Sequence, residues 1–158
     1  MKNIRTAVLC ASISLFSLSA FAQNSEVPPV NEPDYNKPKL FAAYPEKISV
    51  DLITVNNLFS ASLGATVDMN IATGSSFRIA GEVVSTVSKY ENRIRSVVVR
   101  SSNFNGAVLS VSRITNTDGS ITYTGRLISR QHGDVYELQY LNDRFSLVKR
   151  NYYDIVNE

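Results

Sequence analysis

Cysteine, histidine and tryptophan are almost missing from this chain, and each shortage closes off a line of chemistry. Tryptophan is absent, Cys10 is the one cysteine and His132 the one histidine. A multi-histidine metal site is therefore impossible. Proline is confined to Pro28, Pro29, Pro33, Pro38 and Pro45, so nothing after Pro45 lacks a backbone N–H for a hydrogen-bonded ladder. Phosphate-cradling glycine patterns do not occur, and no serine sits in the strand-turn-helix context that marks a nucleophile. The residues alone assign no catalytic residue, no cofactor and no metal.

What is present begins with a targeting pattern. Lys2 and Arg5 form a short basic head, the stretch from Ala7 to Phe16 is apolar but too short to cross a bilayer, and Ala20-Phe21-Ala22 offers the small residues that a signal peptidase requires. Residues 1–22 read as a cleavable signal peptide, with a mature chain starting at Gln23, exported to the periplasm or beyond. Leu9 precedes Cys10 where a lipoprotein signal needs a small residue, which argues against a lipid anchor. Cleavage removes Cys10, so the exported domain is expected to be disulfide-free and to depend on its core. It also removes Lys2 and Arg5. The chain's 16 lysines and arginines then fall level with its 14 aspartates and glutamates, so its basic pI is no sign of nucleic-acid binding. No transmembrane segment is expected in the mature chain.

Residues 23–39 hold four of the five prolines and read as a flexible or semi-extended arm. Residues 40–158 read as one β-domain. In the stretch Phe77–Val87 the period is two, with Phe77, Ile79, Val83 and Val87 on one face and Arg78, Glu82 and Thr86 on the other. Alternation returns in Ala107–Ser112, in Ile121–Arg130, at Tyr136, Leu138 and Tyr140, and at Phe145 and Leu147. The connections carry turn residues, most strongly Asn105-Gly106 and Asp118-Gly119, and also His132-Gly133-Asp134 and Asn142-Asp143. Upstream, Lys47–Ile53 alternates as a first strand. Val55–Ala61 has helical spacing that Asp51 or Thr54 could cap, and Ala65–Ile71 alternates again. The expected fold is mostly β: an antiparallel meander of seven or eight strands closing as a small barrel or sandwich, with at most one or two short helices. The apolar tail, with Tyr152, Ile155 and Val156, is expected to pack as a last strand.

Few side chains invite a functional reading. His132 and Asp134 flank one turn glycine, a position that suits an exposed turn better than a base and its orienting carboxylate. Asp51 and Asp68 lie on separate segments, and a catalytic pair would require the fold to join them. Gly81 and Gly125 sit inside strands, where glycine permits a bulge, tight coiling or a close backbone approach. Charge is uneven: from Arg78 to Arg113 six basic residues face two glutamates. Arg93 and Arg95 share one strand face, and Arg126 and Arg130 share another. If their strands were neighbours, these four would form a basic strip able to dock an acidic partner. Otherwise they are a solvated face that guards strand edges.

The succession Phe77 to Gly81, Arg95 to Val99, Gly106 to Leu109, Tyr123-Thr124-Gly125 and Gly133-Asp134-Val135-Tyr136-Glu137-Leu138 resembles the β-rich propeptide regions of secreted zinc metallopeptidases. The likeness covers Phe77 to Leu141. No His-Glu-x-x-His helix accompanies it, and the mature chain lacks the cysteine with which some such propeptides occupy the zinc. The resemblance implies a free-standing domain that binds a peptidase or another exported protein, without catalysis. The expectation is thus a non-enzymatic recognition domain acting through a strand edge or the arginine face. The alternative is a carrier of an apolar small molecule or lipid, its cavity lined by Tyr123, Tyr136 and Tyr140.

Overall fold

The structure, a computed structural model, describes residues 38–152 and 155. The expected signal peptide, the expected arm up to residue 37 and Val156 of the tail lie outside these residues. Eight strands and one helix follow in order: β1 (Lys47–Ser49), α1 (Leu52–Leu58), β2 (Thr66–Asn70), β3 (Arg78–Lys89), β4 (Ile94–Ser101), β5 (Ala107–Thr115), β6 (Ile121–Ser129), β7 (Asp134–Leu141) and β8 (Arg144–Asn151). They form one antiparallel sheet in the order β1-β8-β7-β6-β5-β4-β3-β2. From β2 to β8 it is a plain meander. Only β1 breaks sequence order, by pairing with β8.

The sheet curls until its two outer strands touch. Val50, just past β1, bridges Ala72, just past β2, and the bonds Asp51 N to Ile71 O (2.9 Å) and Thr73 N to Ser49 O (2.8 Å) flank the bridge. The result is a curled half-barrel, not a sandwich of two sheets. Its concave face carries the apolar positions of the alternation: Ile79 and Val83 on β3, Val97 and Val99 on β4, Ala107, Leu109 and Val111 on β5, Leu127 on β6, Tyr136 and Leu138 on β7, Leu147 on β8. Toward the β4–β5 turn, Phe41, Tyr44, Phe77, Phe104 and Tyr136 fill the interior with ring centroids 5.0 to 5.6 Å apart. Toward the other end, α1 lays Val55 and Leu58 into the core.

Turn chemistry sets these connections as the residues require. Gly106 and Gly119 have φ of +75° and +83°, and Asn142 and Asp143 have +50° and +59°, the left-handed pair of a two-residue hairpin. Asp51 caps α1, its carboxylate accepting from Ile53 N (2.9 Å) and Thr54 Oγ1 (2.7 Å). That cap corrects the expected first strand, which stops at Ser49 because Leu52 and Ile53 already belong to the helix. The tail differs too: β8 ends at Asn151, and Tyr152 is buried in a helical conformation.

A second departure lies in β3. Val83 pairs with Val99 but Ser85 pairs with Val98, so Val84 is an extra residue, a bulge. One inserted residue reverses every later side chain. Val87, expected inside, is 40% exposed on the convex face, while Thr86 and Ser88 turn to the concave one.

Candidate functional site

The ladder between β6 and β7 is incomplete. Pairing runs from Ser129↔Asp134 to Arg126↔Glu137 and stops there, although β6 continues to Ile121 and β7 to Leu141. The bonds Lys149 N to Glu46 O and Val50 N to Phe145 O, 2.9 Å each, turn the odd-numbered backbone groups of β8 toward β1. Alternation then turns the even-numbered groups of β7 toward β6 and the odd-numbered groups of β6 toward β7. Leu138 N–H to Gly125 C=O is the last ladder bond that the Arg126↔Glu137 pair requires, and beyond it the Gly125 N–H and Leu138 C=O and the backbone groups of Tyr123 and Tyr140 face one another across an open seam.

A groove of about 370 Å³ lies over the seam, lined by Ser110, Ser112, Thr124, Gly125, Arg126, Glu137 and Leu138. Beneath it, Gly125 and Leu138 also line an interior void of about 10 Å³, together with Val50, Val55 and Ile71. At this point the wall between outside and core is a glycine and one leucine. Gly125 is required by crowding on its other side, since an added Cβ would stand 2.8 Å from Ser110 O. At the seam's open end Tyr123 Oη donates to Asn56 Oδ1 of α1 (2.9 Å), and Phe145 packs between Tyr123 and Tyr140.

The rim is charged and braced. Glu137 meets Arg126 (3.2 Å) and Arg150 (3.6 Å) and accepts from Gln139 Nε2 (2.8 Å). Burial pushes its carboxyl up, but the Gln139 amide and the two guanidiniums outweigh that and hold it below the ordinary value.

The four arginines expected to form a strip are not brought together. β5 separates β4 from β6, and register places Arg95 opposite Arg113, itself opposite Tyr123, on the concave face. Arg126 is opposite Ser110 on the convex face, and Arg130 lies beyond β6 in the turn to β7. Arg95 donates to the Phe59 carbonyl at the end of α1, with its guanidinium 5.9 Å from the centre of the Phe59 ring. Arg93 reaches Thr115 O at 3.5 Å. Of the four, Arg126 alone borders the seam.

The other candidates have structural partners. His132 Nδ1 donates to Pro38 O (2.9 Å), Lys39 Nζ donates to the His132 and Gly133 carbonyls, and Asp134 accepts from Phe41 N (3.1 Å). The His132-Gly133-Asp134 turn thus clasps the chain where it enters the domain, and Pro38 and Lys39, read as arm, are held against it. Asp68 pairs with Arg78 while Asp51 caps α1, and the two line different grooves. Tyr136 is fully buried, its hydroxyl donating to Pro45 O, and Tyr140 is 61% exposed, so the three tyrosines do not surround one cavity. Among the described residues no three His, Cys, Asp or Glu side chains gather as a metal site would need, and no helix is long and apolar enough to cross a membrane. No family model, curated protein or solved structure matches this chain.

Proposed function

We propose that this chain is an exported, non-catalytic recognition domain that binds an extended segment of another exported protein at the β6–β7 seam. The observation that carries the reading is the end of the β6–β7 ladder at Arg126↔Glu137, which leaves the Gly125 N–H, the Leu138 C=O and the backbone groups of Tyr123 and Tyr140 outside it beneath a groove open to solvent. Unpaired ladder groups are templates for strand addition, where main-chain hydrogen bonds give affinity and side-chain pockets give selectivity. Ser110, Ser112 and Thr124 offer polar partners to the segment's outward side chains. Gly125 and the 10 Å³ void admit only small inward ones. A peptidase fits this partner class, on the resemblance of the strand succession to peptidase propeptides. The carrier reading has less support, because an interior of 10 Å³ is far below the several hundred that a small-molecule site occupies.

The test is to staple the seam. Continued pairing would set Thr124 opposite Gln139, so Thr124→Cys with Gln139→Cys closes it on oxidation, and the only native cysteine, Cys10, lies in the signal. With a photo-crosslinker at Ser112, the reduced protein is expected to form a defined adduct in its own exported fraction, and the oxidised protein to lose it. Equal adducts in both states would sink the seam as the site. Export is checked by intact mass, expected to begin at Gln23.

A further inference from the structure

The concave face of β3, β4 and β5 beside α1 holds a cationic patch that the seam does not use. Register sets Arg95 directly opposite Arg113, and like charges so placed repel. Arg93 shares the face by alternation, one pair further out. Carboxylates are missing: among the described residues none lies within ion-pair reach of Arg95 or Arg113. Arg95 spends one nitrogen on the Phe59 carbonyl. The Nε of Arg113 is buried and has no hydrogen-bond partner among the described residues. A buried donor left unpaired is costly, and a guanidinium cannot shed its charge to escape the cost.

The bulge at Val84 completes the patch. Without it Val87 and Lys89 would face this region; with it Thr86 and Ser88 do, and register sets Ser88 opposite Arg95. Tyr123 lies opposite Arg113 on the far side. Two guanidiniums carried by directly opposed residues of adjacent strands, with no carboxylate of the described residues in ion-pair reach, are the donor type that suits a tetrahedral oxyanion. We infer that Arg95 and Arg113 form a binding site for a small free oxyanion of the phosphate or sulfate class. Small size follows from place: both arginines are half-buried, and Arg95 is held against the end of α1.

The experiment is titration of the whole protein with inorganic phosphate at constant ionic strength, the balance made with chloride, read by calorimetry and by thermal melting. The wild type is expected to bind saturably and to melt higher as phosphate rises. Arg113→Gln should bind at least tenfold more weakly. Independently of any variant, the Arg113 Nε–H resonance should move with phosphate and reach a plateau. A response no different from chloride, an Arg113→Gln titration matching wild type, or an unmoved Nε–H resonance would each overturn the site.

Discussion

Gly81 shows at residue scale how little room the curl leaves. An added Cβ there would stand 2.1 Å from Arg100 O and 2.9 Å from its carbonyl carbon, both backbone atoms that cannot rotate aside. At Gly125 the nearest atom is Ser110 O at 2.8 Å. Gly81→Ala is therefore expected to destabilise by about 3 kcal/mol, and Gly125→Ala by about 1–2 kcal/mol, the range of overpacked cores. Equilibrium urea unfolding checks the order; equal losses would contradict it. Of the openings that sequence reading leaves for these glycines, the close backbone approach is the one realised. Tyr136 carries the second residue-scale prediction. Burial raises its hydroxyl's pKa well above the ordinary 10.0, with the Glu46 and Asp134 carboxylates adding to the effect. The folded state thus keeps a proton that the unfolded chain gives up. Stability from this group is intact below pH 10 and falls as pH rises above it. Tyr136→Phe should remove that alkaline dependence in unfolding curves measured at successive pH values.

At the scale of the element, β3 tests how the bulge redistributes its side chains. Val83 is fully buried before the bulge and Val87 is exposed after it. Val83→Ala is expected to cost about 2 kcal/mol or more and Val87→Ser less than about 0.5 kcal/mol, whereas an unbroken period of two would make both costly. Midpoints of chemical denaturation separate the two cases. Strands and turns were readable because each strand keeps a period of two for most of its length and each turn carries Gly, Asn or Asp. The bulge was not, since an apolar pair such as Val83-Val84 recurs at Leu127-Ile128 in a strand whose register with β5 has no shift, and the extra residue is defined only by its partner. The seam was hidden for the same reason. Thr122 and Thr124 on β6 and Leu138 and Tyr140 on β7 alternate faultlessly, and periodicity reports which face a side chain takes, never whether the backbone is paired. The arginines divide likewise: Arg93 with Arg95 was legible within one strand, but the opposite faces of Arg95 and Arg126 follow from register across β5.

For the whole molecule, the ends of the half-barrel are held differently. The aromatic cluster toward the β4–β5 turn takes in Phe41 and Tyr44, so the chain's approach to β1 is itself part of the core. Lys149 Nζ fastens the same approach by donating to Tyr44 O (2.6 Å), and Tyr136 does so at Pro45. The opposite end rests on α1, on the Arg95 bond to Phe59 and on the single bridge at Val50 and Ala72. The seam opens toward this more lightly held end.

The position of β1 beside β8 sets an order on folding. Every hairpin from β2 to β8 joins strands adjacent in sequence, while Lys47 meets Val148 only by closing a loop of roughly a hundred residues, the costliest closure in the molecule. The meander is therefore expected to condense first and β1 to be received last, though it is synthesised first. Until β8 exists β1 has only the bridge beside Ala72 to hold it, and the half-barrel acquires its final shape only when the two ends of the domain meet.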